Sequence, residues 1–330
     1  MIVHRSNRTE QLVDALAELV RTPLADPTAP ETIAVHGRGM ARWLSLELSR
    51  RLGVWANPAF PFPRRLIDAA AAAVLGAPPD GASVFAPDTL LWAVLDELPR
   101  HLGSDAFAPL RAYLEGDERG RKRDQLAVRI ADLFDQYAVF RPEMVLGWEA
   151  GREPGDWQAV LWRALVARCA TAGLGTAALG PAHPAARARD LLAALHAGRA
   201  AAAPFPARIS LFGLSTLPPL YVDILAALAR FVELHLFVLS PTEHYWGDLV
   251  TPRRARRVLR DRDPAAAADQ HLSTGPPLLA ALGRIGREFA AVVEAAADYQ
   301  ACDHYAPPRG TSVLATLQAD MLALRDRGGA

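Results

Sequence analysis

The stretch Thr32-Ile33-Ala34-Val35-His36-Gly37-Arg38-Gly39-Met40-Ala41-Arg42-Trp43 has the residue types of a phosphate-binding turn. A short apolar strand runs into glycines and then into a helix predicted to reach Leu52. In such a turn the backbone N–H groups and the positive helix end both face a ligand. Nucleotide chemistry also needs GxxxxGK(S/T), with a lysine for the phosphates and a hydroxyl for magnesium. Here Gly39 is followed by Met40 and Ala41, and the one lysine, Lys122, sits in an arginine-rich run with no strand before it. The turn at Gly37 and Gly39 therefore reads as a degenerate nucleotide loop, its shape kept and its chemistry lost.

Asp132 and Asp135 lie one helical turn apart, so both carboxylates face the same way. A metal pair, or a general acid and base, would need further ligands nearby. No HxxH, CxxC or carboxylate cluster supplies them. In a nucleic-acid channel such carboxylates accept from cytosine N4 and repel phosphate; on an ordinary helix they are a solvated face. Phe60, Phe62 and Trp43 have the chemistry to stack on unpaired bases or to pack a core. Trp43 falls on the apolar face of its helix and reads as core, whereas Phe62 fits either role. Two basic runs, Arg119 with Arg121, Lys122 and Arg123, and Arg253 with Arg254, Arg256 and Arg257, suit phosphate tracking or a solvated loop. The histidines are scattered and propose neither a triad nor a metal site. Tyr245-Trp246-Gly247-Asp248 follows a predicted strand end, where ligands sit in open α/β sheets, but reads as a structural turn with Trp246 packed.

The elements that must position these residues follow from periodicity. Ile2–His4 is a strand, and Ser6 or Asn7 can cap a helix carrying Leu12, Leu16 and Leu19. After the glycine turn, Trp43, Leu44, Leu46, Leu48 and Leu52 form an apolar face. The three prolines of Asn57-Pro58-Ala59-Phe60-Pro61-Phe62-Pro63 forbid helix there, and a helix follows from Arg64 to Leu75. From Pro87 to Ala200 the pattern is helix after helix: Thr89–Leu98, Phe107–Leu114, Arg123–Phe140, Trp157–Ala170 and Ala186–Ala197. Strand signals return at Arg208–Phe212 and Val232–Val238, joined by a helix over Pro218–Phe231, which makes them parallel. Helices over Pro277–Ala297 and Ser312–Arg325 complete the pattern. The expected architecture is α/β: a parallel-sheet domain from residues 1–85 and 204–330, with an all-helical domain, 86–203, inserted between its strands.

Composition narrows the classes. The 330 residues allow two domains, and the formal net charge of zero means that any nucleic-acid site is a local patch or channel. No apolar run reaches the roughly 18 to 20 residues of a membrane span, and Met1-Ile2-Val3-His4-Arg5 reads as a strand, not a signal peptide. Cys169 and Cys302 are too few and too far apart for a disulfide framework and read as buried thiols of a cytoplasmic protein. The basic residues are almost wholly arginine, which suits phosphate forks and base edges and equally follows from a GC-rich genome.

Several segments together resemble the RecC family, the gamma subunit of exodeoxyribonuclease V (the RecBCD helicase–nuclease), over its N-terminal part. They are Val3-His4-Arg5-Ser6-Asn7-Arg8, Gly39-Met40-Ala41-Arg42-Trp43-Leu44, Asp132-Leu133-Phe134-Asp135-Gln136-Tyr137 with Arg141-Pro142, Leu217-Pro218-Pro219, Tyr245-Trp246-Gly247-Asp248, and Pro277-Leu278-Leu279 with Gly283 and Gly286. Each is weak alone; their order and spacing carry the match. The resemblance implies a RecA-like domain of inactive superfamily 1 helicase type with a helical insertion, needing no cofactor. Full-length members are much longer, so the second helicase-like half and the nuclease-like region are expected to be missing here. It further implies a non-catalytic role in double-strand-break repair. The partners would be a RecB-like helicase–nuclease subunit, a RecD-like helicase subunit and the 3′-ended single strand, which is scanned for the hotspot Chi. The family's scanning residues carry over onto Asp132, Leu133, Asp135 and Arg141 with their types kept. They carry over onto His36, Arg38, Arg42, Phe62 and Asp68 with their types changed from glutamine, threonine, glutamine, leucine and tryptophan. Arg38 and Arg42 favour guanine edges or phosphate over adenine, so a different hotspot or weaker scanning is expected. The alternative is a scaffold whose main surface binds the helicase–nuclease partner.

Overall fold

The computed structural model describes residues 1–76, 85–171, 183–200, 202–251, 253, 255–257, 275–296 and 298–326. Residues 1–66 and 205–330 form one compact unit and 67–204 a second.

The first unit is built on a sheet of six strands in the order β3-β2-β4-β5-β1-β6. These are β1 (Ile2–Ser6), β2 (Glu31–Ala34), β3 (Pro58–Ala59), β4 (Arg208–Phe212), β5 (Glu233–Leu239) and β6 (Gln300–Asp303), and every pairing is parallel. Parallel neighbours need crossover connections. Those leaving β1 and β2 run toward the β3 edge and those leaving β4 and β5 toward the β6 edge. With right-handed crossovers, opposite directions put the helices on opposite faces. Accordingly α1 (Thr9–Arg21) and α2 (Arg38–Leu52) cover one face, and α10 (Pro219–Leu228), between β4 and β5, lies on the other. Leu12, Val13 and Leu16 of α1 and Leu44 and Leu48 of α2 close there on Ile33, Val35, Phe212 and Phe237. The sheet is thus an all-parallel α/β core of RecA-like type.

The second unit is helical: α4 (Pro87–His101), α5 (Ala108–Leu114), α6 (Arg121–Phe140), α7 (Pro142–Glu149), α8 (Trp157–Thr171) and α9 (Pro184–His196), with most of α3 (Pro63–Leu75). On α6, Ala127, Ile130, Ala131, Phe134 and Ala138 recur at helical spacing and are all buried against Val94, Phe107, Trp148 and Trp162. Buried His183 sits 2.8 Å from Glu149, which also accepts from the Trp162 indole at 2.9 Å. The one lysine has a structural role: Lys122 Nζ donates to the carbonyls of Tyr113 and Glu115, satisfying the end of α5.

Several expectations are corrected. Neither Ser6 nor Asn7 caps α1. Arg8 stands at the N-cap without a side-chain bond, while Ser6 Oγ accepts from the Arg8 N–H and Asn7 pairs with Ala306 instead. Leu46 is 52% exposed, not part of the apolar face of α2. Pro142–Glu149 is an additional helix, and the segment 277–297 is two helices, α11 (Pro277–Leu282) and α12 (Arg284–Ala296). They part at Gly283, where a Cβ would meet the Trp246 ring at 2.7 Å. The strand β6, preceding α13 (Val313–Leu322), gave no sequence signal. Cys302 lies on that edge strand and is only half-buried; the Cys169 side chain and Arg254 fall outside the described residues.

The histidines are the largest surprise. His304 Nε2 lies 3.1 Å from His4 Nδ1, His4 Nε2 lies 3.0 Å from His235 Nδ1, and His235 Nε2 lies 2.9 Å from Glu233. An ionised carboxylate only accepts, so His235 donates from Nε2 and accepts at Nδ1, and the same order repeats at His4 and His304. His4 also stacks on Phe237 at 4.3 Å with the planes 6° apart. At the amino end of the same face, buried Arg208 makes a bidentate pair with Glu31 at 2.9 and 2.7 Å and donates to the Leu19 and Thr22 carbonyls at the end of α1.

Candidate nucleic-acid interface

The connection from β2 to α2 is only Val35, His36 and Gly37. Gly37 is the N-cap residue with extended backbone, φ −170°, and no side chain caps the helix. Neither Gly37 nor Gly39 has a positive φ, and a Cβ at either would meet nothing within 4 Å. Glycine is therefore not required here by backbone or by space.

Met40 lies beside the crevice at this end of the sheet. Adjacent strands β2 and β4 send their connections to opposite faces, which opens a crevice at their carboxyl ends, the usual ligand position in such sheets. Gly213, just past β4 and at φ +66°, would carry a Cβ 3.3 Å from the Met40 methyl. The thioether thus lies against the loop after β4, and it occupies the sequence position where a nucleotide loop has its lysine. A neutral side chain there offers a phosphate no counter-charge.

Around Met40 the side chains are exposed and basic. His36, Arg38 and Arg42 are all exposed, with Arg38 and Arg42 one turn apart on α2. Among the described residues none of the three makes a side-chain hydrogen bond or ion pair, and α2 has no acid in its first turn. The open N–H groups of the helix end add to the positive potential. Val35 N–H donates to Pro61 O at 3.1 Å, which brings the extended segment beside the turn and leaves Phe62 44% exposed next to it. Trp43 packs instead on the core, its ring 6.4 Å from Phe212, and Phe60 packs with it. The structure therefore brings His36, Arg38, Arg42 and Phe62 together around Gly37 and Gly39 at one end of the sheet.

The remaining candidates belong to the helical unit. Asp132, Leu133 and Asp135 are half-buried on α6, and Asp68 is exposed on α3. Arg141 is exposed at the junction of α6 and α7, its N–H bonded to Tyr137 O and its carbonyl accepting from Met144 and Val145. Arg119, Arg121 and Arg123 are exposed beside the N-terminus of α6. There Asp117 accepts the Arg123 N–H at 2.9 Å; burial raises its carboxyl, but the backbone N–H bonds of Arg123, Lys122 and Arg121 outweigh this and hold it below the ordinary carboxylate range. No group of three or more potential metal ligands occurs among the described residues, and no helix of the described residues is long and apolar enough to cross a membrane.

Trp246 is buried as expected, lodged against Gly283 and Gly286 and covered by Arg287 at 5.8 Å. The Met40–Gly213 contact was missed by sequence reasoning. Its signal was the glycine directly after an apolar strand, at Phe212-Gly213.

Residues 1–324 match the family model described as the RecC N-terminal domain. The chain belongs to the RecC family. It is 34% identical to the RecBCD enzyme subunit RecC of Escherichia coli (strain K12), over 98% of this chain and 31% of that protein. It is 31% identical to the RecC subunit of Haemophilus influenzae, over 99% of this chain and 33% of the relative. The RecC subunit of Mycolicibacterium smegmatis is 35% identical over 87% of this chain and 25% of its own length. The chain thus spans a third or less of these RecC proteins.

Proposed function

We propose that this chain is the DNA-handling N-terminal part of a RecBCD-type complex in double-strand-break repair, working in the cytoplasm. It guides the 3′-ended single strand and scans it for a hotspot, with chemistry left to RecB-like and RecD-like partner subunits. The observation that carries this reading is the cluster of His36, Arg38, Arg42 and Phe62 around an uncapped helix end where Met40, lying against the Gly213 loop, stands in the lysine's place. Unpaired guanidinium groups attract phosphate and guanine edges, and an exposed ring offers a base a stacking surface. Asp132, Leu133, Asp135 and Arg141, with Asp68, are assigned to the same scanning role through family membership. Because Arg38 stands where the enterobacterial pattern has threonine and Arg42 where it has glutamine, the scanned word differs from the enterobacterial one or the scanning is weaker.

The test is fluorescence anisotropy of a labelled single-stranded oligonucleotide across a range of salt. Arg38→Gln with Arg42→Gln is expected to reduce the slope of log K against log salt by about 1.4, since each lost phosphate contact removes about 0.7. An unchanged slope sinks the assignment of this face to DNA. A second reading, a scaffold for the partner subunits, is favoured by one observation: Leu282, Val313 and Leu314 are 78%, 79% and 63% exposed. Absence of single-strand binding at low salt, with retained capture of a RecB-like subunit, would select it.

A further inference from the structure

On the face of the sheet opposite α1, a cavity of about 310 Å³ opens at the carboxyl ends of β1 and β5. Val3 and Val238 form its floor, and Phe289 and Val293 of α12 its roof. Tyr245 and Trp246 wall one side, with Tyr299 and Tyr305 on its lining as well. The wall is preorganised: the Tyr245 ring folds over Gly247, where any Cβ would collide with its hydroxyl.

The lining carries Arg5 and Arg287 against Glu243 and Glu294, and Asp303 and Asp248 beside it add two further carboxylates. Arg5 is committed to Asp303 through two hydrogen bonds of 2.8 and 3.0 Å. Arg287 caps the Leu279 and Ala280 carbonyls and lies over the Trp246 ring at 5.8 Å. Glu294 lines the mouth, is exposed, and has no ion pair among the described residues. Glu243, also on the lining, has among the described residues one ion-pair partner, His244 at 3.8 Å, and its charge also acts on the Tyr305 hydroxyl. The charges of Asp248 and then Glu294 hold the Tyr245 phenol above its ordinary range. An apolar, aromatic chamber with surplus carboxylates at its rim repels phosphates and attracts cations that have an aliphatic stem.

We propose that this cavity receives a lysine or arginine side chain from a partner polypeptide, its methylenes between Val238 and Phe289 and its charge among Tyr245, Glu243 and Glu294. Arg287 on Trp246 already shows the same cation-on-ring contact within the fold. The site lies outside the DNA-facing cluster and does not depend on that reading.

The test uses the intact 330-residue chain and the blocked peptide acetyl-Leu-Arg-Leu-amide, with glutamine and glutamate versions, followed by saturation-transfer NMR and calorimetry. The arginine peptide is expected to bind at least about fivefold tighter than the glutamine peptide. Glu294→Gln and Tyr245→Ala should each weaken it about three- to fivefold. Gly247→Ala, which displaces Tyr245 without touching the core, should act like Tyr245→Ala. Both Glu294 and Tyr245 are exposed, so melting curves report that the variants fold. Equal binding of the arginine and glutamine peptides, binding unaffected by all three substitutions, preference for the glutamate peptide, or no binding at roughly 10 mM peptide each overturns the proposal.

Discussion

Acidifying the protein from about pH 7 to about pH 4.5 is expected to weaken the sheet through His4. Burial, reinforced by the neighbouring His235 and His304 rings, lowers the His4 imidazole from 6.5 to about 4. The unfolded chain therefore takes up this proton near pH 6.5, whereas the folded sheet refuses it until about pH 4. A group depressed in this way contributes its stability in full above 6.5, and loses it as pH falls from 6.5 through about 4. That interval, at 1.36 kcal/mol per pH unit, is roughly 3 kcal/mol, and screening at the half-buried His304 end reduces it to about 2 kcal/mol. The geometry explains the resistance. His4 sits between two imidazoles and against Phe237, so a charge on it meets no carboxylate; Glu233 is reached only through His235. Urea unfolding followed by circular dichroism at several pH values measures the loss, with His4→Gln as the comparison. The variant should be less stable near pH 7 by about 1 kcal/mol, because one ring nitrogen loses its partner, and should lose about 2 kcal/mol less on acidification. An identical acid loss in both proteins would refute the reasoning and move the titration to other groups.

Further perturbations test the rest of the frame. Glu31→Gln strands the buried Arg208 guanidinium and should cost about 3 kcal/mol in thermal unfolding at neutral pH; a loss below about 1 kcal/mol would mean that solvent reaches the pair. Lys122→Met removes the two carbonyl contacts at the end of α5 and should cost about 1 kcal/mol without altering single-strand affinity. A fall in affinity matching that of the Arg38 and Arg42 variants would place Lys122 on DNA instead.

The strands that could be read in advance were those rich in apolar residues and buried on both faces, such as Arg208–Phe212 with Ile209, Leu211 and Phe212. Gln300–Asp303 could not be read. It is a short edge strand whose residues are partly exposed, and its place is set by hydrogen bonds to β1, not by its own pattern. The break at Gly283 was hidden for a similar reason, since it answers to Trp246 across the fold. At the candidate interface the residue types were visible, but their gathering was not. Phe62 is brought beside His36 by the pairing of β2 with β3 and the Val35–Pro61 backbone bond, and nothing local in either segment announces it. The histidine row was the least legible, because its members are 231 and 300 positions apart.

That separation governs the order in which the molecule can be built. Its first strand pairs on one side with residues 233–239 and on the other with 300–303. During synthesis β1 is made before either of its neighbours and waits, both edges unpaired, until residues 233–239 and then 300–303 have followed. Residues 67–204, contiguous in sequence, close on contacts within their own span, so the helical unit has what it needs well before the sheet does. Long-range parallel pairing is slow because the loop must close before any contact rewards it. The sheet is therefore completed late, its first strand held between two neighbours that did not exist when it was made.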